Sequence, residues 1–312
     1  MSEVKKIATR ESYGNALVEL GKEHEDVVVL DADLSNATKT NTFQKVFPER
    51  HYNCGIAESN MTAIAAGVAA TGKVPFCSTF AMFAAGRSYD QVRNSIGYPH
   101  LNVKIGATHA GLSVGEDGAS HQCNEDIALM RVIPGMVVIC PSDDVEAKAA
   151  VHAAYEYEGP VYLRFSRAAS PVINDNPDYH FEIGKGVTLR EGKDITLIAT
   201  GIMVPRALDA AEKLAADGID AEVINIHTIK PLDDELILAS VAKTGKAVTI
   251  EEHSVIGGLG GAVCEMLAEK NPVPVLRIGV KDVFGESGPA EEVLSKYGLD
   301  AEGIYNAIKG WK

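Results

Sequence analysis

The chain has 312 residues, 46% of them apolar, which is more than one hydrophobic core usually absorbs, so two domains are expected. Lys and Arg total 29 against 43 Asp and Glu, and a formal charge of -14 argues against nucleic acid and against anionic membrane surfaces as partners. The opening MSEVKKIATRESYGNAL is charged where a secretory signal is apolar, and no apolar stretch is long enough to span a bilayer, which predicts a cytoplasmic protein.

In chain order, DVVVLDAD predicts a strand, IAESNMTAIAAGVAA an Ala-rich helix, KVPFCSTF a strand, and Phe80 to about Ile96 a helix. LNVKIGATH, GMVVICPSD and PVYLRFSR predict further strands, with a helix from Asp144 to about Tyr157 before the last. Such alternation implies an α/β fold with a parallel sheet covered on both faces. SPVINDNPDYHFEIG, rich in Pro, Asn and Asp, reads as a connector and divides the chain into 1–185 and 186–312. Beyond it DITLIATG, AEVINIHTI, KAVTIEEH and VPVLRIGV predict strands, separated by helices beginning near Val204, Asp233 and Gly260, with helical stretches closing the chain. The five cysteines, Cys54, Cys77, Cys123, Cys140 and Cys264, are widely spaced and read as reduced thiols.

The strongest local signal is THAGLSVGEDGASHQ, which follows a buried-strand pattern. Its glycines let the backbone bend close to a ligand, while His109, Asp117 and His121 supply polar contacts at a strand's carboxyl end, where open α/β sheets bind ligands. In CGIAESNM, Glu58 opens a helix whose early positions are otherwise apolar. It is either an ordinary first-turn carboxylate favoured by the helix dipole or a proton-exchanging carboxyl in an apolar cleft. IGGLGGAV has glycines at a strand-to-helix junction, but Val263 stands at the third glycine position of a dinucleotide fingerprint, so tight packing is the better reading.

Together these segments resemble transketolases, thiamine-diphosphate enzymes. IATR, DADLSN, CGIAES, STFAMF, THAGLSVGEDGASHQ and FSR occur in the order and approximate spacing of that family's pyrimidine-binding domain, and TIEEHSVIGGLGGAV resembles its C-terminal domain. The resemblance implies a pyrimidine domain with a parallel sheet flanked by helices over 1–185 and a smaller α/β transketolase C-terminal domain over 186–312. The reaction implied is transfer of a two-carbon ketol unit from a ketose phosphate to an aldose phosphate, as in the pentose phosphate pathway. The same resemblance gives Glu58, His109 and His121 catalytic roles, Glu58 as an acid/base working through the cofactor's aminopyrimidine. Phe80 and Phe83, three apart on one helical face, are implied to hold the pyrimidine, and Asp33 to lie near the thiazolium. Sugar oxygens fall to His109, Asp117 and His121, and a terminal phosphate to Arg10, Ser35 (or Asn36) and Arg167.

This sequence also departs from the family pattern. Gly86 replaces an expected aromatic, so the pyrimidine pocket is wider or Tyr89 closes it, and Ser59 follows Glu58 where the family has histidine. AGRSYDQV leans toward deoxyxylulose phosphate synthase. No GDG motif for the metal and diphosphate occurs. The resemblance therefore implies an N-terminal transketolase subunit as partner, carrying Mg2+ or Ca2+ with the diphosphate, in an α2β2 assembly. The alternatives are a deoxyxylulose-phosphate-synthase-like subunit, a 2-oxo acid dehydrogenase beta-like subunit and a non-catalytic regulatory paralogue.

Overall fold

The run VVVLD, residues 27–31, explains how the first sheet is built. All five residues are buried. Val27 and Val29 join one apolar cluster with Tyr13, Leu17 and Phe76, while Val28 and Leu30 join another with Met61, Ala65 and Ile96. Side chains alternate along a strand, so a strand apolar at every position must be covered on both faces. In the computed structural model, which describes residues 5–311, it is. Helices Thr9–Glu23 and Asp144–Glu156 cover one face. The other carries helix Glu58–Ala70 and apolar residues from the second half of the chain, among them Ile224, Ile237, Leu259 and Val263.

Seven strands form this sheet in the order Thr228–Lys230, Val137–Ile139, Val161–Arg164, Lys104–Thr108, Val74–Phe80, Val27–Asp31 and His51–Asn53. Neighbours are parallel except at the first pair, where Thr228 lies antiparallel opposite Ile139. A second sheet has the order Val275–Val280, Ala247–Ser254, Ile195–Ala199, Ala221–Asn225 and Val187–Arg190, parallel but for its last strand. A short antiparallel pair, Lys6–Ala8 with Ala169–Pro171, brings the chain start beside the connector.

Two elements differ from the sequence expectation. AEVINIHTI is two strands rather than one: Ala221–Asn225 stays in the second sheet, and Thr228–Lys230 crosses over as an edge strand of the first. Residues 221–229 are buried without interruption and no Gly or Pro stands among them, so nothing local marks the break. The helix expected from Phe80 begins later, because Phe80 is the last residue of strand Val74–Phe80. Phe83–Arg87 and Val92–Gly97 are π-helical, with Ser88 N–H donating to Phe83 O five residues back at 3.3 Å.

A buried polar seam fastens the two halves. Arg164 Nε donates to Asp126 Oδ2 at 2.8 Å, and its Nη2 donates to the carbonyl of Glu252 at 2.9 Å. The ion pair lies within the first half and holds the guanidinium in place; the bond that crosses to the second half is the charge-assisted one to the Glu252 carbonyl, worth about 1.5–3 kcal/mol.

Candidate active site

Parallel strands in an open sheet end at one edge, and the loops leaving that edge carry nearly every residue singled out from the sequence. Asp33 follows strand Val27–Asp31, Glu58 follows His51–Asn53, Phe80 closes Val74–Phe80, His109 follows Lys104–Thr108, and Arg167 follows Val161–Arg164. Arg10 arrives separately, from the first turn of helix Thr9–Glu23.

Four rings form the centre. Phe80 stacks on His109 with centroids 3.8 Å apart and on Phe83 at 5.8 Å. His121 stands edge-on to both, 5.5 Å from Phe83 and 6.3 Å from Phe80. The two phenylalanines thus meet, although not as neighbours on one helix: one ends a strand and the other opens the π-helical turn.

Glu58 is the first residue of its helix and is buried. Its Oε1 accepts from Arg87 Nη1 at 3.0 Å, and the Arg87 guanidinium lies 4.0 Å from the Phe83 ring centroid. Ser59 Oγ donates to the Arg87 carbonyl at 2.8 Å, which pins the π-helical turn to the start of the Glu58 helix. Arg87, rather than Tyr89, is the group that covers Phe83, since Tyr89 packs against the apolar core. The sequence reading missed this arginine, although its place four residues after Phe83 was a signal for a cation over an aromatic ring.

His109 has positive φ (57°) and is buried. Arg10 Nη1 lies 3.2 Å from its Nε2, and a guanidinium can only donate, so Nε2 accepts and the ring proton sits on Nδ1, 2.9 Å from Thr108 Oγ1. Burial, then the neighbouring Arg10, Arg167, His121 and Lys39, push this imidazole down to about 3, so it is neutral at physiological pH. Arg10 also donates to Ala37 O at 3.0 Å, in the short helix Ser35–Thr38. Burial lowers its guanidinium, with Glu11 pulling upward and Arg167 adding to the lowering. Arg10, Arg167 and Lys39 therefore gather positive charge around a neutral histidine, a setting suited to an anion. Lys39 had no sequence signal. Arg167 is engaged, donating to Val114 O and, at 2.6 Å, to Glu116 Oε2.

The remaining predicted residues stand apart from this centre. Asp33, exposed and with positive φ (64°), accepts from Asn53 Nδ2 at 3.0 Å. Ser35 begins the short helix that Arg10 touches, and Asn36 accepts from Asn41 Nδ2 at 2.7 Å. Asp117 is exposed in the histidine loop. The glycines of that loop do something other than expected: Gly111 and Gly118, at φ 75° and 73°, lie against Glu252 and Ser287 of the second half. In IGGLGGAV, Glu251 accepts the N–H groups of Leu259 and Gly260 at 2.7 and 2.8 Å, so a carboxylate already occupies that helix start. His253 is fully buried behind it. Cys77, Cys123 and Cys140 are buried, Cys54 and Cys264 half-buried, and all five are free thiols. No helix of the described residues is long and apolar enough to cross a membrane.

Comparison with known proteins shows the family of both halves. Residues 5–172 match the family model of the transketolase pyrimidine-binding domain, and 184–304 that of the transketolase C-terminal domain. A protein of Methanocaldococcus jannaschii described as a transketolase C-terminal section is 54% identical over 96% of this chain and 94% of its own length. A 6-deoxy-6-sulfo-D-fructose transketolase subunit from a Clostridium species is 45% identical over 96% of this chain and 92% of its own. A solved split-gene transketolase, in the form of an inactive beta4 tetramer, superposes with a TM-score of 0.90 at 55% identity, covering 97% of both chains. The chain thus belongs to the transketolase family, of which it carries the pyrimidine-binding and C-terminal domains.

Proposed function

We propose that this chain is one subunit of a two-chain transketolase and moves a two-carbon ketol unit from a ketose phosphate to an aldose phosphate. The observation that carries the reading is the Glu58–Arg87–Phe83 arrangement. Here a flat cation lies on an aromatic face and gives an N–H to a buried carboxylate. The aminopyrimidine of thiamine diphosphate offers the same combination of a flat ring and nitrogen groups able to share a proton, so these residues fit it. Bound there, the cofactor supplies the carbanion chemistry that breaks and remakes the carbon–carbon bond beside a ketose carbonyl.

The residues of this chain bind, orient and move protons. Glu58 holds or releases the proton shared with the ring, Phe80 and Phe83 form the wall it lies on, and Asp33 stands on the thiazolium side. His109 and His121 are the catalytic histidines beside the sugar; neutral His109 serves as a hydrogen-bond partner rather than as a cation. Asp117 takes a sugar hydroxyl. Arg10, Arg167 and Ser35 receive the terminal anion, and Glu116 must release Arg167 for that to happen.

Names such as section, subunit and split-gene product among the relatives support a second chain, which would hold the diphosphate and Mg2+ (or Ca2+) in an α2β2 assembly. The sulfo-sugar named for one relative makes sulfonate the chief rival to phosphate as the terminal anion. A domain boundary near residue 185 and a cytoplasmic location belong to the same reading.

The test is Glu58→Ala in the reconstituted complex. Assembly should persist while turnover falls by roughly two to four orders of magnitude, the usual worth of a positioned acid/base, and proton exchange at the cofactor's reactive carbon should slow in parallel. Exchange at the normal rate in this variant would remove Glu58 from the role.

A further inference from the structure

The loop from Gly111 to Gln122 carries Asp117 and His121, and it rests on the C-terminal domain. Glu252, on strand Ala247–Ser254, is buried, and its Oε1 accepts the backbone N–H of buried Ser113. Gly111 lies on the same carboxyl, where a Cβ would stand 2.5 Å from Glu252 Cδ. At the loop's other end, Gln122 Nε2 donates to Glu286 O at 2.9 Å and back to Leu112 O at 3.2 Å. Between these points Gly118 lies over Ser287, and the Gly118 carbonyl accepts the N–H groups of His121 and Gln122 at 3.0 and 3.1 Å. The loop is closed at its base by Gly111 N–H donating to Cys123 O at 2.9 Å.

The support is itself anchored. The Glu252 carbonyl accepts from Arg164, whose guanidinium is held in place by Asp126, so the strand bearing Glu252 cannot slide without losing a charge-assisted hydrogen bond to a fixed donor. A buried N–H left without an acceptor is costly, so if Glu252 withdrew, the loop would move to find another.

We propose that Glu252 of the C-terminal domain is a positioning residue for the sugar site: it sets the place of the Gly111–Gln122 loop, and through it His121 and Asp117. This rests on the ketol-transfer reading. Its chemistry is that of reach rather than charge, since the Ser113 N–H needs a lone pair at a fixed distance.

Two variants separate reach from charge. Glu252→Gln keeps the length and an acceptor oxygen, whereas Glu252→Asp keeps the charge beside Arg164 but withdraws the acceptor by one methylene. In the reconstituted complex, Glu252→Gln should keep the KM for a ketose phosphate within about twofold of the parent, and Glu252→Asp should raise it about five- to tenfold. The dissociation constant for thiamine diphosphate should be unchanged in both, because the loop does not hold the pyrimidine. Amide exchange at Ser113 should be faster in Glu252→Asp than in Glu252→Gln. The reverse order, with Asp normal and Gln impaired, would make Glu252 a structural counter-charge and overturn the proposal, as would an unaltered KM in Glu252→Asp. If the parent complex carries out no ketol transfer at all, the functional reading fails instead, while the amide-exchange order still judges the brace.

Discussion

Arg87 and Glu58 hold each other across the seat assigned to the pyrimidine, and they cannot keep this contact once a ring lies on Phe83. The arginine side chain is 54% exposed against 5% for the glutamate, so it is the arginine that swings away. Its backbone stays put, held by Ser59 and by the π-helical turn. A seat competent for only a fraction of the time binds with an apparent affinity reduced by that fraction. A pair with one exposed partner is worth little, so the reduction is modest. Arg87→Ala is therefore expected to tighten thiamine diphosphate binding to the two-chain complex about two- to tenfold, measured by calorimetry. Weaker binding would instead make Arg87 a direct contact of the cofactor.

Helix Asp144–Glu156 shows the same economy at the scale of an element. Asp143 caps it through Glu146 N–H at 2.9 Å and also accepts the N–H groups of Ile173 and Asn174, each at 2.7 Å. Glu146, in the first turn, accepts from Ser142 N–H and Oγ at 2.7 and 2.8 Å, Tyr179 OH at 2.6 Å and Asn225 Nδ2 at 2.7 Å. One helix start thus gathers the connector and the second sheet. Burial pushes the Glu146 carboxyl up to about 7, against the pull of the hydrogen bonds it accepts. Glu146→Gln turns an amide N–H2 toward two donors, and the buried groups left unpaired should lower unfolding free energy by about 2–4 kcal/mol in urea. The connector near Tyr179 should become easier to cleave, and an unchanged urea midpoint would mean the network is dispensable. This helix was legible in the sequence to within a residue because its cap and apolar period are local. So were most of the buried strands and the loop that carries His109 and His121 beyond Thr108, whereas Phe80 and Phe83 were singled out only through the family resemblance. The crossing of Thr228–Lys230 was not, since no Gly or Pro interrupts AEVINIHTI, nor was the π-helical turn. Glu252 and Ser113 stand 139 residues apart, a distance at which no local pattern speaks.

At the scale of the whole molecule, the sequence supplies one side of a site and a charge of -14. The groups suited to the pyrimidine end are here, Glu58 with Phe80 and Phe83, while no GDG segment for a metal and diphosphate occurs in the chain. If the contacts are divided in this way, the free energy of binding divides with them. The pyrimidine should contribute to binding by this chain alone, and the diphosphate only once the second chain brings its cation. Thiamine and thiamine diphosphate then form a matched pair of probes, differing only in the anionic group. The complex with Mg2+ should prefer thiamine diphosphate by about 100-fold or more, the worth of two or so charge-assisted contacts. The isolated chain should bind both weakly and within about threefold of each other, since its net negative charge gives the diphosphate no general attraction. Saturation-transfer NMR detects such weak binding, and calorimetry serves for the complex. A strong preference for the diphosphate by the isolated chain would place the phosphate contacts on this polypeptide and undo the division of labour.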